Sequence, residues 1–172
     1  VMLDVPITPL LRRGLQQLPL MPVTSEEFRT ALSRFPSGVT IVTTRDADAH
    51  FHGITVSAFC SLSLDPPRVL ICIEKTTGSH GALIGSNAFV VNMLGAGQTE
   101  LSERFASLIE NKFEGIDDIP VLLGGLATLE CRVTNTYDGG DHSIFVGEVE
   151  KAAIHDGDPL IYYRGDYRAI SS

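Results

Sequence analysis

Apolar and polar residues alternate along much of this chain, and the clearest run is GITVSAFCSLSLDPPRVLICI, residues 53–73. Its even positions from Ile54 to Leu64 are Ile54, Val56, Ala58, Cys60, Leu62 and Leu64, all apolar. Its odd positions are Thr55, Ser57, Phe59, Ser61 and Ser63, four hydroxyls and one aromatic. Side chains alternate faces along a strand, so the pattern predicts one long strand with its hydroxyls on one face. The β-branched VTIVTT (39–44) precedes it and RDADAH (45–50) is a polar turn, so the two strands read as a hairpin. Asp65-Pro66-Pro67 breaks the chain, and RVLICI (68–73) opens another strand. FVVNML (89–94), ATLECRVTNTY (127–137), HSIFVGEVEKAAI (142–154) and LIYYRGDYRAI (160–170) continue the series, with DGGD (138–141) as a strong turn signal.

Helical spacing is rarer. Thr24 and Glu27 form a capping box, and Phe28, Ala31, Leu32 and Phe35 follow on one face, which predicts a helix packed on a core. Pro36-Ser37-Gly38 ends it. A short helix, GALIGS, follows Thr77-Gly78-Ser79-His80, and a third spans Thr99–Leu108 with Leu101, Phe105 and Leu108 on one side. Residues 110–122 read as an acidic loop. Six or seven strands and three short helices, without βαβ alternation, predict a mainly β fold with short helices and a closed, mainly antiparallel sheet.

Composition narrows the partners. The 172 residues suit one domain with a sizeable core; 44% are hydrophobic and 20% charged, a globular balance. A net charge of −8 argues against wrapping nucleic acid or an anionic membrane. No apolar run is long enough to span a bilayer. Cys60 and Cys72 sit in apolar strand patterns, and with Cys131 they read as buried, inert thiols suited to a reducing cytoplasm. Residues 1–23 read as an N-terminal extension or arm rather than a signal peptide, and 24–172 as the domain.

The chemistry lies in short motifs, each with a bland alternative. Small hydroxyls donate to phosphate, ribityl hydroxyls or a heterocycle's carbonyls without crowding the ligand. A solvated strand face also carries Thr and Ser, but it normally carries Lys, Glu or Arg too, and none lies between Gly53 and Leu64. Gly38, in Pro36-Ser37-Gly38-Val39, lets backbone approach a ligand, or simply stops a helix. Ser79 and His80 at a helix start favour an anion, or are a cap beside an exposed histidine. His142, at the mouth of a hairpin, suits hydrogen-bond or acid–base work, or is a turn histidine. Adjacent Asp141 is not read as a triad partner, because neighbours on an extended chain point to opposite sides. Tyr162-Tyr163-Arg164-Gly165-Asp166-Tyr167-Arg168 stacks on a planar ring or closes a barrel. No cluster has metal-ligand spacing, and His50 and His52 read as solvated. GxGxxG and GxxxxGK[ST] are both absent.

In their order, FPSGVTIVTT, HGITVSAFCSLSLDPPRVLICI, SHGALIGSNAFVVNML, a helix carrying RFA, GGDHSIFVGEVE and PLIYYRGDY resemble the short-chain flavin reductases, which supply reduced flavin to two-component monooxygenases acting on aromatics. The resemblance covers residues 24–170. It implies an FMN-binding split β-barrel of antiparallel Greek-key type, working as a cytoplasmic homodimer beside a transient monooxygenase partner. Carried over, Ser37, Gly38 and Val39 lie by the flavin. Thr55, Val56 and Ser57 meet the isoalloxazine edge, although many relatives carry Ala-Asn where Val56-Ser57 stand here. Ser61, Leu62 and Ser63 line the ribityl and phosphate region, with Ser79 and His80 near phosphate. Phe105 packs by the flavin, and Tyr163 and Tyr167 close over the site. His142 matches the histidine on the nicotinamide side. The resemblance leaves open FMN against FAD and NADH against NADPH. Other readings are a same-fold reductase of a cobalamin or ferric chelate, and a non-catalytic flavin- or haem-binding barrel. A serine hydrolase using His142 lacks the GxSxG elbow.

Overall fold

The computed structural model describes residues 22–116, 120–122 and 124–170, and the chain divides into two units, Val1–Leu32 and Ser33–Ser172. Residues 1–21 of the expected extension lie outside the described residues. In the first unit, α1 (Ser25–Leu32) begins with the expected capping box. Glu27 N–H donates to Thr24 Oγ1 (3.2 Å), and Thr24 N–H donates back to Glu27 Oε2 (2.9 Å). That reciprocal bonding holds the Glu27 carboxyl below its usual range. The expected burial of this helix is not found: none of its residues is buried, because its apolar positions Phe28 and Leu32 stay open.

The second unit contains β1 (Ser37–Gly38), β2 (Thr40–Arg45), β3 (Phe51–Val56), β4 (Phe59–Leu64), β5 (Pro67–Glu74), α2 (Gly78–Gly85) and β6 (Ala88–Met93). After these come α3 (Thr99–Ala106), β7 (Ala127–Gly139), β8 (His142–Ile154), β9 (Ile161–Tyr163) and β10 (Asp166–Arg168). Seven strands form one sheet in the order β3-β2-β6-β7-β8-β5-β4, every pair antiparallel. The β2–β3 hairpin is the expected one, from Thr40↔Val56 to Arg45↔Phe51. The fold is a split barrel: the expected closure is absent, since β3 and β4 are consecutive in the chain yet stand at opposite edges.

The reason lies at Ala58. Phe59 N–H donates to the Ser57 carbonyl (3.0 Å), a three-residue turn at Ala58, and Cys72 N–H then claims the Ala58 carbonyl (3.0 Å). The chain swings onto β5 instead of continuing along β3. Inside the curled sheet, Val42, Val56, Ile71, Phe89, Val91 and Phe145 form the first core. On the outer side, Val39, Ile41, Leu94, Phe105, Leu122 and Leu160 form a second. Buried Asn92 serves this second core: its amide donates to the Ile41 carbonyl (3.1 Å), and its oxygen accepts from Leu122 N–H (2.8 Å).

A small sheet, β1-β9-β10, closes the chain. Arg164 (φ 56°) and Gly165 (φ 80°) make the tight turn between β9 and β10. Register Ser37↔Tyr162 and Gly38↔Ile161 lays the C-terminal segment directly against the Ser37-Gly38 turn.

Candidate functional site

The turn at Ala58 rewrites the hydroxyl row. Ile54 and Val56 point into the first core, but so does Phe59, which pairs with Ile71. The alternation changes phase between Val56 and Phe59, then breaks again at a bulge between Ser61 and Ser63. Thr55, Ser57, Ser61 and Ser63 therefore do not form one face. Thr55 donates to the Ser102 carbonyl on α3 (2.6 Å), Ser57 and Ser61 are exposed, and Ser63 pairs with Arg68 half-buried. Cys60 is carried outward with them and Cys72 is only half-buried, so of the three thiols expected to be buried Cys131 alone is.

Two clefts gather seven of the fifteen predicted residues. The turn cleft, about 410 Å³, is lined by Ser37, Gly38, Val39, Thr40 and Ser57 on one side. Phe59, Met93, Leu94 and Leu160 add apolar wall. A Cβ built on Gly38 would meet nothing within 4 Å, so the backbone there is bare to an approaching ligand. The size and apolar lining suit one flat heterocycle. Val56, placed beside it in the sequence, is instead a core residue, 5% exposed, whose carbonyl accepts the Thr40 hydroxyl (2.7 Å).

The helix cleft, about 660 Å³, holds Thr55, Ser79 and Phe105 together with Thr76, Thr77, Ser107 and Lys112. The Lys112 ammonium donates to the Phe105 carbonyl (2.9 Å), and partial burial lowers its pKa. Sequence patterns gave no signal for Lys112, because it reaches the cleft from an irregular loop. The Ser79 hydroxyl and the Lys112 cation suit a phosphate, the hydroxyls of Thr55, Thr76, Thr77 and Ser107 being donated to protein oxygens; Glu74 and Glu110, which also line the cleft, suit sugar hydroxyls. Phe105 is fully buried, edge-on to Phe113 with centroids 5.0 Å apart.

The remaining candidates lie elsewhere. Leu62 is half exposed on β4, outside both clefts. His80 does not line the helix cleft beside Ser79; its Nε2 lies 2.9 Å from Ser143 Oγ, because the first turn of α2 rotates it toward β8. His142 sits at the β7–β8 rim, outside both clefts, with Nδ1 2.7 Å from Asp141 Oδ1. The ground given for setting Asp141 aside fails: the chain turns at Gly140 (φ 87°), so the neighbours are not extended and their side chains meet. The contact lowers the Asp141 pKa. Tyr167 ties the C-terminal hairpin down, its hydroxyl 2.8 Å from Ser102 Oγ, and Tyr163 lines neither cleft. Ser102, fully buried, thus joins Thr55 and Tyr167; only its place one turn before Phe105 hinted at this. Asp46, Asp48 and His50 do gather within 4.8 Å, against expectation. Asp46 closes its own turn, accepting the N–H groups of Asp48 (3.0 Å) and His50 (2.9 Å). His52, only part-exposed, lies 2.8 Å from the same carboxylate and draws its pKa down to about 2.

Residues 32–171 match the family described as Flavin reductase like domain. The chain belongs to that family. It is 39% identical over 92% of its length to the reductase component of 4-nitrophenol 4-monooxygenase/4-nitrocatechol 2-monooxygenase from Rhodococcus opacus, covering 88% of that protein. It is 40% identical over 86% of its length to an FMN reductase (NADH) from Agrobacterium fabrum, covering 87% of it. The NADH:FAD oxidoreductase of Streptomyces globisporus, solved with NAD and FAD fragments, superposes with a TM-score of 0.82 at 33% identity, covering 90% of this chain and 97% of that one. No described helix is long and apolar enough to cross a membrane.

Proposed function

We propose that this chain is an NADH-dependent flavin reductase that supplies reduced flavin to a partner monooxygenase. The observation that carries this is the turn cleft, where bare backbone at Gly38 faces Ser57 across an apolar wall. These residues fit a flavin. Ser37, Gly38, Val39 and Ser57 hold the ring edge, with Val56 supporting them from the core. Ser61, Leu62 and Ser63 follow the ribityl chain. Ser79 and Lys112 take the phosphate, and Phe105 backs that wall.

When bound, the flavin supplies the hydride acceptor and NADH the donor. The chain aligns the two, and its backbone N–H groups stabilise negative charge on the ring edge. Apolar wall residues keep water out. His142 orients the nicotinamide side; hydride transfer needs no proton from it. Tyr163 and Tyr167 form the hairpin that abuts the ring end.

The chain works as a homodimer in this reading. The support is β4, an edge strand with Leu62 51% and Leu64 95% exposed, a bare edge that a second copy covers. Leu64→Glu then gives a monomer by sedimentation; a variant that stays dimeric moves the interface elsewhere. Three free thiols suit a reducing cytoplasm.

NADH oxidation by the purified protein, with FMN or FAD added in turn, tests the function. Oxidation that depends on added flavin is expected. Tight flavin retention without NADH oxidation overturns the reductase reading in favour of a binding barrel.

A further inference from the structure

His80 and Ser143 are chain neighbours of the two candidate ligand residues, Ser79 and His142, and they meet in one hydrogen bond of 2.9 Å. Ser143 is 6% exposed. The His80 ring also stands edge-on to fully buried Phe145, with centroids 5.8 Å apart. Within α2, the His80 N–H donates to the Thr77 carbonyl (3.1 Å), so the ring belongs to the turn that carries Ser79. Ser143 and Phe145 lie on β8, which is laddered on both sides, to β5 and β7.

The two partners differ in rigidity. β8 is fixed by two ladders. α2 has eight residues, too short to hold its own position in water, so its place comes from tertiary contacts. Ala82 and Leu83 bury its later turn. In its first turn, part of the helix-cleft wall, Ser79 is buried and the Thr77 cap donates to the Glu74 carbonyl (2.9 Å), and the His80–Ser143 bond is the side-chain tie from this turn to β8.

We propose that the His80–Ser143 pair is a positioning device that sets flavin affinity by holding Ser79 and the helix-cleft wall against β8. His80 acts through Ser79 and does not touch the ligand, a role that rests on reading the helix cleft as the phosphate end of the flavin site. The test titrates FMN into apo wild type, His80→Ala, His80→Gln, Ser143→Ala and His80→Ala/Ser143→Ala, following flavin fluorescence. Each alanine is expected to raise the Kd about fivefold, the worth of one hydrogen bond. The double variant should be no weaker than either single, because both remove the same bond. His80→Gln, whose amide nitrogen reaches the position of Nε2, should restore most of the affinity. At saturating flavin and NADH, kcat should hold.

Unchanged Kd in His80→Ala, effects that multiply in the double variant, or a loss of kcat that glutamine does not rescue would each overturn the proposal. Hydrogen exchange on the apo proteins separates this from the cleft assignment. Faster exchange of the first α2 amides in Ser143→Ala is expected whether or not flavin binds. A wild type that fails to bind flavin, with that exchange difference present, overturns the cleft assignment and the affinity role but leaves the clamp. Equal exchange overturns the clamp itself. Should His80→Ala fail to fold, Ser143→Ala and His80→Gln carry the same comparison.

Discussion

β3 and β4 follow each other in the chain, share one alternating pattern, and become the two edges of the same sheet with opposite fates. β3 is covered. A Cβ on Gly53 would run into the Phe105 and Phe113 rings, and Thr55 is bonded to the Ser102 carbonyl of α3. β4 is bare. Cys60, Ser61, Leu62 and Leu64 are exposed. An alternating pattern therefore names a face only as far as the next turn, and what covers that face is decided by elements far along the chain. The covered edge is suited to hold a site rigidly. The bare edge is suited to receive a flavin or a second copy.

The comparison breaks most easily at Phe105. Phe105→Ala leaves a hole over β3 and should cost about 3–5 kcal/mol in denaturant unfolding. A loss below about 1 kcal/mol would mean that α3 is not the cover argued above. Gly53→Ala attacks the same contact from the strand, by overpacking, and should cost about 1–3 kcal/mol. In a Phe105→Leu background the same change should cost less, since the two sites touch; strict additivity would remove Phe105 as the obstacle.

Thr55→Val keeps the shape of β3 but abandons the Ser102 carbonyl, for an expected loss of about 1 kcal/mol. Flavin Kd should barely move, because the Thr55 hydroxyl is already committed to α3 and only its main chain is free for the ligand. A large rise in Kd would return the hydroxyl to the flavin. The smallest effect is chemical and probes the bare edge. Alkylation at neutral pH should label Cys60 and spare Cys131, whose thiol is pushed up to about 12 by burial and by Glu150. Raising the protein concentration or adding flavin should slow Cys60 labelling; an unchanged rate would show that nothing covers β4.

Sequence alone determined whatever depends on near neighbours. The Thr24–Glu27 capping box, the β2–β3 hairpin, the turn before His142 and the apolar faces of most strands were legible because each is set within a few residues. The family resemblance was legible because its motifs keep their order along the chain. Tertiary structure decided the rest. The phase change at Ala58 depends on β5 capturing the Ala58 carbonyl. Lys112 reaches the helix cleft only because its loop folds back under Phe105. His80 turns from phosphate to Ser143, which lies 63 residues away. Asp141 meets His142 because the chain reverses at Gly140. Alternation and capping are properties of backbone geometry over one or two turns. Which hydroxyl is free and which is spent on a distant carbonyl depends on pairings that local geometry does not specify.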